Sequence, residues 1–245
     1  MNQSQSNKAM ALLVSIFATQ FFFSENASAE VLWDNWYVSR TNGVAQYYFN
    51  EHAEITGDKA KIRVNYWIKE GTRIKSENIG ATAKNSPLLE PLVYNFKTQD
   101  AGSEKTMDGT IMGNGKVFSV KIKKGVKNMT PLRAQMMPNL ILSSFFPVWI
   151  HKNYKKISSV QPKEFAAIIE NEVDTEVPVT KGDVYEMVPD DFAKKTHTRK
   201  LRVNFKKVVS FWYVTPKGDA IRIIAPNYNS ETKKVSREEA EKSLQ

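Results

Sequence analysis

The sequence predicts a mainly β protein, a curved antiparallel sheet forming a half-barrel or sandwich, with a short buried apolar helix and a C-terminal helix. Three observations carry that prediction. Several segments alternate strictly between apolar and polar residues, tight-turn residues stand between them, and one mid-chain segment is apolar nearly all round. Alternation with period two marks strands with one face buried and one face solvated.

Before the strands comes an address. Lys8 provides a basic start, Met10 to Phe23 is an apolar run, and Ala27-Ser28-Ala29 precedes Glu30. Basic end, apolar run and small-x-small site follow one another as in a secretory signal. The run is interrupted by Ser15, Thr19 and Gln20 and falls short of the roughly 20 apolar residues of a membrane span. Residues 1–29 are therefore expected to be a signal peptide cleaved between Ala29 and Glu30, and residues 30–245 a single β-rich domain in a bacterial periplasm.

The strands follow in order. Trp33 to Arg40 and Ala45 to Ile55 flank Thr41-Asn42-Gly43, and Asn-Gly supplies the positive φ angles of a tight hairpin. Ala60 to Glu70 puts Ile62, Val64, Tyr66 and Ile68 on one face and Lys61, Arg63, Asn65 and Lys69 on the other. Phe118, Val120 and Ile122 repeat this pattern, as do Leu201, Val203 and Phe205. Thr56-Gly57-Asp58-Lys59, Glu70-Gly71, Gly113-Asn114-Gly115 and Pro216-Lys217-Gly218-Asp219 read as turns. Short connections make a meander of about ten to thirteen strands. The region from Ser158 to Asp191 is the least regular.

Pro138 to His151 breaks the pattern. Leu140, Ile141, Leu142, Phe145, Phe146, Val148, Trp149 and Ile150 leave no polar face, so the segment is buried or lines a greasy cavity. Asn139 is the expected N-cap and Pro147 the expected kink of a helix lying across the concave face. A buried strand pair is the alternative. At the end of the chain Ser236-Arg237-Glu238-Glu239 spells a capping box that opens a short helix.

Composition narrows the chemistry. Cysteine is absent, which excludes disulfides, thiolate metal sites and cysteine nucleophiles. The three histidines, His52, His151 and His197, lack metal-ligand spacing, and no Gly-x-Ser-x-Gly elbow or glycine-rich phosphate loop occurs. The acidic residues Asp174, Glu176, Asp183, Glu186, Asp190 and Asp191 have the spacing of turns and strand surfaces. No enzymatic activity, cofactor or metal is expected. The formal net charge of +9 favours anionic partners.

Two features point to a ligand. Trp67 stands on the polar face of its strand, and Val208 to Val214 is apolar on both faces, so each needs a second covering layer or a ligand. Lys152, Lys155 and Lys156 follow the apolar helix directly, and Lys194, Lys195, Arg199, Lys200, Arg202, Lys206 and Lys207 form a second basic run. An apolar pocket with cations at its mouth suits an acyl chain with an anionic head group. Trp67, Leu142, Phe145, Phe146, Trp149 and Trp212 are the expected pocket lining, and Lys152, Lys155 and Lys156 the expected head-group contacts.

This layout, carried by Ala60–Glu70, Thr106–Lys123 and Leu140–Ile150, resembles the LolA/LolB-like fold of periplasmic lipoprotein-localisation carriers. The resemblance is architectural and transfers no residue by position. It implies an open half-barrel with a helical lid and lipid chains between them. The expected function is non-enzymatic binding or transport of a lipophilic, anionic envelope molecule, with a lipid or other amphiphile as partner and neither nucleic acid nor a transmembrane anchor. An envelope scaffold binding a protein partner and a carboxylate-dependent hydrolase are the alternatives.

Overall fold

The computed structural model describes residues 28–100, 103–113 and 115–245. The expected signal peptide up to Ala27 and the centre of the Gly113-Asn114-Gly115 turn lie outside these residues. The first half is a meander of long strands: β1 Glu30–Thr41, β2 Val44–Thr56, β3 Lys59–Glu70, β4 Arg73–Lys84, β5 Pro91–Asp100, β6 Ser103–Met112 and β7 Val117–Lys124. Three short strands follow, β8 Lys127–Asn128, β9 Leu132–Gln135 and β10 Leu140–Leu142. Helix α1, Phe146–Asn153, then leads to β11 Lys163–Ile168 and β12 Val179–Glu186. Helix α2, Asp191–Thr196, precedes a second meander, β13 Arg199–Phe205, β14 Val208–Val214, β15 Ala220–Ala225 and β16 Ser230–Val235, and the chain closes with α3, Arg237–Lys242.

Sixteen strands among the described residues form one mainly antiparallel sheet, with β10 and β11 its parallel pair. The three strands of four residues or fewer account for the excess over the expected number. The last strand pairs with the first, Trp36 opposite Val235 and Thr41 opposite Ser230, so the two meanders join at the middle of the sheet. The strands that the region from Ser158 to Asp191 contributes, β11 and β12, belong to this same sheet.

The sheet curls round α1. Phe146, Pro147, Val148, Trp149 and Ile150 are all buried, the turn Ser143–Phe145 lies against β3 and β4, and β10 lies near β5. The expected helix is shorter than Pro138 to His151, however. Leu140–Leu142 is extended, and Asn139 has a φ of 59° rather than capping a helix. Pro147 occupies the first turn of α1 and does not kink it. The amide missing from proline has no helical partner at that position, so helix initiation there is free of penalty.

The far end of α1 is locked from the sheet. Arg199 Nε and Nη2 donate to both carboxylate oxygens of Glu186 at 2.7 and 2.5 Å, and Nη2 also donates to the Ile157 carbonyl at 2.6 Å. A planar guanidinium satisfies these acceptors at once, which a lysine does not. On the other flank Gly218, with φ +94°, abuts His151. A Cβ there would overlap the Cα and Cβ of His151, so only glycine fits.

The convex face has covers of its own. Helix α3, capped by Ser236 Oγ accepting from the Glu239 amide at 3.1 Å, closes over Val38 and Tyr48 through Ala240 and Leu244. Helix α2, capped by Asp190, packs Phe192 on Tyr213 at 4.8 Å. Burial raises the Asp190 carboxyl, but hydrogen bonds from the Ala193 amide, Lys200 and Tyr213 outweigh it and hold the carboxyl below its usual range. Strand β14 is thus covered on both faces, by protein on its convex side and by α1 together with a cavity on its concave side.

Candidate functional site

Inward positions of β1–β3 and β13–β16 face each other across one end of the curled sheet. Between β4 and β7 the interior is filled, with Tyr94 and Phe118 stacked at 5.7 Å above Gly109. At the β13–β16 end the interior stays open as a cavity of about 750 Å³. Its walls are mainly apolar and aromatic, with Phe49, Tyr66, Phe146, Phe205 and Trp212 among the lining side chains.

The first turn of α1 forms the inner wall. Phe146 lies 4.9 Å from Phe165 and edge-on to Trp212 at 5.0 Å, with Trp149 stacked behind it at 6.0 Å. Glu170, fully buried, holds this turn in place. Its carboxylate accepts the Ser143 and Ser144 amides at 3.0 and 3.1 Å and the hydroxyls of both serines. Burial raises the Glu170 carboxyl and the serine hydrogen bonds lower it, with burial the larger effect.

The mouth lies among the hairpin turns at one end of the strands. Asn42 and Asn229 tie two of these turns together, the Asn42 amide donating to the Asn229 carbonyl at 3.0 Å. Lys206, in the β13–β14 turn, forms an ion pair with Glu172 from the segment after β11, and both residues line the cavity. Lys206 and Lys207 have φ values of 54° and 63°. This is a two-residue hairpin with both central positions left-handed and without the customary Asn-Gly.

One polar group stands apart on the inner wall. Glu51 is 7% exposed and lines the cavity, and its Oε1 accepts Trp33 Nε1–H at 2.7 Å. Burial pushes its carboxyl up to about 7, against the lowering hydrogen bond from Trp33 and with a small further rise from Asp219. Asp219 itself is held low by Thr215, Lys234 and Asn35 in spite of its burial. Sequence reasoning missed Glu51. The signal was present, because the alternation Tyr47, Phe49, Glu51, Ala53 places a carboxylate on the inward face.

The expected site residues separate into four groups. Phe146 and Trp212 line the cavity. Leu142, Phe145 and Trp149 are core residues at 0, 0 and 2% exposure and support the wall from behind. Trp67 is a correction. It lies on the convex face, stacked on Tyr48 at 4.8 Å and Trp36 at 5.6 Å next to α3, and so on the opposite side of the sheet from Phe146. Lys152, Lys155 and Lys156 are a second correction: they sit roughly two to three helical turns beyond Phe146, at the end of α1 away from the cavity. The charged lining groups are Glu51, Glu172 and Lys206, so of the two expected basic runs Lys206 alone reaches this cavity among the described residues, and it is paired with Glu172.

The acidic cluster is dispersed among structural contacts. Asp174 pairs with Lys124 at 2.6 Å, Glu186 with Arg199, Asp190 with Lys200 at 2.9 Å, and Asp183 accepts from Asn204 at 3.1 Å. His52 lies on the convex face between Asp34 and Glu54, at 3.6 and 3.5 Å. Among the described residues no group of three or more His, Cys, Asp or Glu is placed to hold a metal ion, and no helix is long and apolar enough to cross a membrane.

No protein-family model and no curated protein matches the chain. Among solved structures it is similar to a β-barrel-like protein of the domain of unknown function DUF1849 from Brucella abortus. That match has 10% identity and a TM-score of 0.49, and covers 85% of this chain and 95% of the other. The expectation of a mainly β protein built on a curved antiparallel sheet, with a short buried helix and a C-terminal helix, holds for the structure. The comparison names no LolA/LolB-like protein.

Proposed function

We propose that this protein is a non-enzymatic binder of a lipophilic small molecule, which it holds in the cavity between α1 and the β13–β16 end of the sheet and ferries within the bacterial envelope. The observation that carries this reading is the cavity. Its volume of about 750 Å³ lies within the range typical of small-molecule sites, and apolar and aromatic side chains make up most of its walls, with Glu51, Asn171, Glu172, Lys206 and several hydroxyl side chains between them. Burial of an acyl chain there supplies roughly 0.8 kcal/mol per methylene. The periplasmic location rests on the pattern of residues 1–29.

Native mass spectrometry of protein purified from a bacterial periplasm without detergent tests the reading. A reproducible added mass, released as a lipid on denaturation, is the expected result. Ala225→Trp, which places an indole in the mouth, should lose that mass and remain folded. A bare mass for the unmodified protein, together with no uptake of added amphiphiles, rules the reading out. N-terminal sequencing of the same sample should begin at Glu30.

A further inference from the structure

Glu51 is the feature of this cavity that a merely greasy container does not need. A carboxylate on an apolar wall is costly to bury unless its oxygens are satisfied. Here Oε1 takes the Trp33 indole N–H at 2.7 Å, whereas Oε2 has no hydrogen-bond donor among the described residues. Its cross-strand neighbours are Asn35 on β1 and Val64 on β3. The Asn35 amide is directed to Tyr37 and Asp219, each at 3.3 Å, and Val64 has nothing to donate.

No cation among the described residues faces Glu51. The titratable groups around it are Tyr37 on β1, Tyr66 on β3 and Asp219 in the β14–β15 connection, and Lys234 on β16 is engaged with Asp219 at 2.9 Å. The Tyr37 and Tyr66 hydroxyls are both raised above their ordinary range, chiefly by burial, and stay neutral. Lys206 is held at the mouth by Glu172. The inner end of the cavity therefore offers one open acceptor, which above pH 7 bears an unpaired negative charge.

Resting on the reading of the cavity as a lipophilic binding site, we propose that its natural occupant is an amphiphile whose polar end donates hydrogen bonds, an amine or a hydroxyl, to Glu51. Amphiphiles whose polar end is an anion are excluded from this orientation. The apolar tail runs past Phe146 and Trp212 toward Tyr228 and Lys206 at the mouth. This reverses the sign expected from the chain's net charge, because the one lysine in the lining, Lys206, is paired with Glu172. An ammonium bonded to a carboxylate inside an apolar wall is among the stronger hydrogen bonds available to a protein.

The test compares three probes of equal chain length, dodecylamine, 1-dodecanol and dodecanoate, titrated below their aggregation limits and followed by tryptophan fluorescence at pH 8. The expected order is dodecylamine, then dodecanol, then dodecanoate, with at least a tenfold span between first and last. Glu51→Gln, close to isosteric, should shrink that span to within threefold and retain dodecanol binding. Equal binding of all three probes, or preference for dodecanoate, overturns the proposal but leaves the lipophilic cavity standing. An unchanged order in a folded Glu51→Gln variant also overturns it. Failure of all three to bind overturns the cavity reading and this proposal together.

Discussion

Glu170 and Ser144, 26 residues apart, are joined twice: one carboxylate oxygen of Glu170 accepts both the amide and the hydroxyl of Ser144, at 3.1 and 2.5 Å. The other oxygen treats Ser143 in the same way. The turn that opens α1, and with it the Phe146 wall of the cavity, is thus positioned by a side chain from just beyond the end of β11.

Glu170→Ala is expected to cost about 2 kcal/mol, since it leaves the partly buried amide and hydroxyl donors of Ser143 and Ser144 without their acceptor and removes charge-assisted bonds. Glu170→Gln, which keeps an acceptor, should cost less. Urea denaturation of the three proteins measures this, and a loss below about 0.5 kcal/mol in the alanine variant would mean that the turn is held by packing alone.

Glu51 makes stability depend on pH. Its carboxyl lies near 7 in the fold against 4.5 for the ordinary group. Folding therefore favours the protonated form. The contribution is fully present below pH 4.5 and is lost as the pH rises through 7, a swing of about 3 kcal/mol. The stability difference between the unmodified protein and Glu51→Gln should accordingly shift in favour of the variant as the pH rises across that window. A difference that stays flat contradicts the assignment.

Trp67→Ala should destabilise the fold by about 2 kcal/mol through the lost stack on Trp36 and Tyr48, and loosen α3. Ligand uptake should not change, because the cavity is on the other face of the sheet. Parallel thermal melts and probe titrations separate the two effects.

Lys206→Ala removes the ion pair across the mouth. Both partners are well exposed, so equilibrium stability should move by less than about 1 kcal/mol. Release of a bound amphiphile should quicken several-fold, as read by stopped-flow displacement. An unaltered release rate would show that the Lys206–Glu172 pair does not gate the cavity.

Much of this architecture was legible along the chain. The alternation of Ile62, Val64 and Tyr66 with Lys61, Arg63 and Asn65 is local physics, because a strand's side chains change face at every residue. The Asn42-Gly43 turn and the Ser236 cap are equally local, each needing one residue type at one position. The Lys206-Lys207 turn was not legible, since two lysines carry no preference for positive φ.

What alternation cannot reveal is which object lies against each face. Trp67 and Tyr66 are adjacent in sequence, yet one meets the C-terminal helix and the other the cavity. That division follows from β16 pairing with β1, a contact spanning almost the entire described chain, which brings α3 over the convex face. The same curvature carries Phe146 and Trp212 into one wall, leaves Lys152 to Lys156 at the distant end of α1, and brings a buried acid, Glu51, onto the cavity wall. Local pattern depends on a residue and its immediate neighbours, whereas the contents of a cavity depend on how strands far apart in the chain close around it.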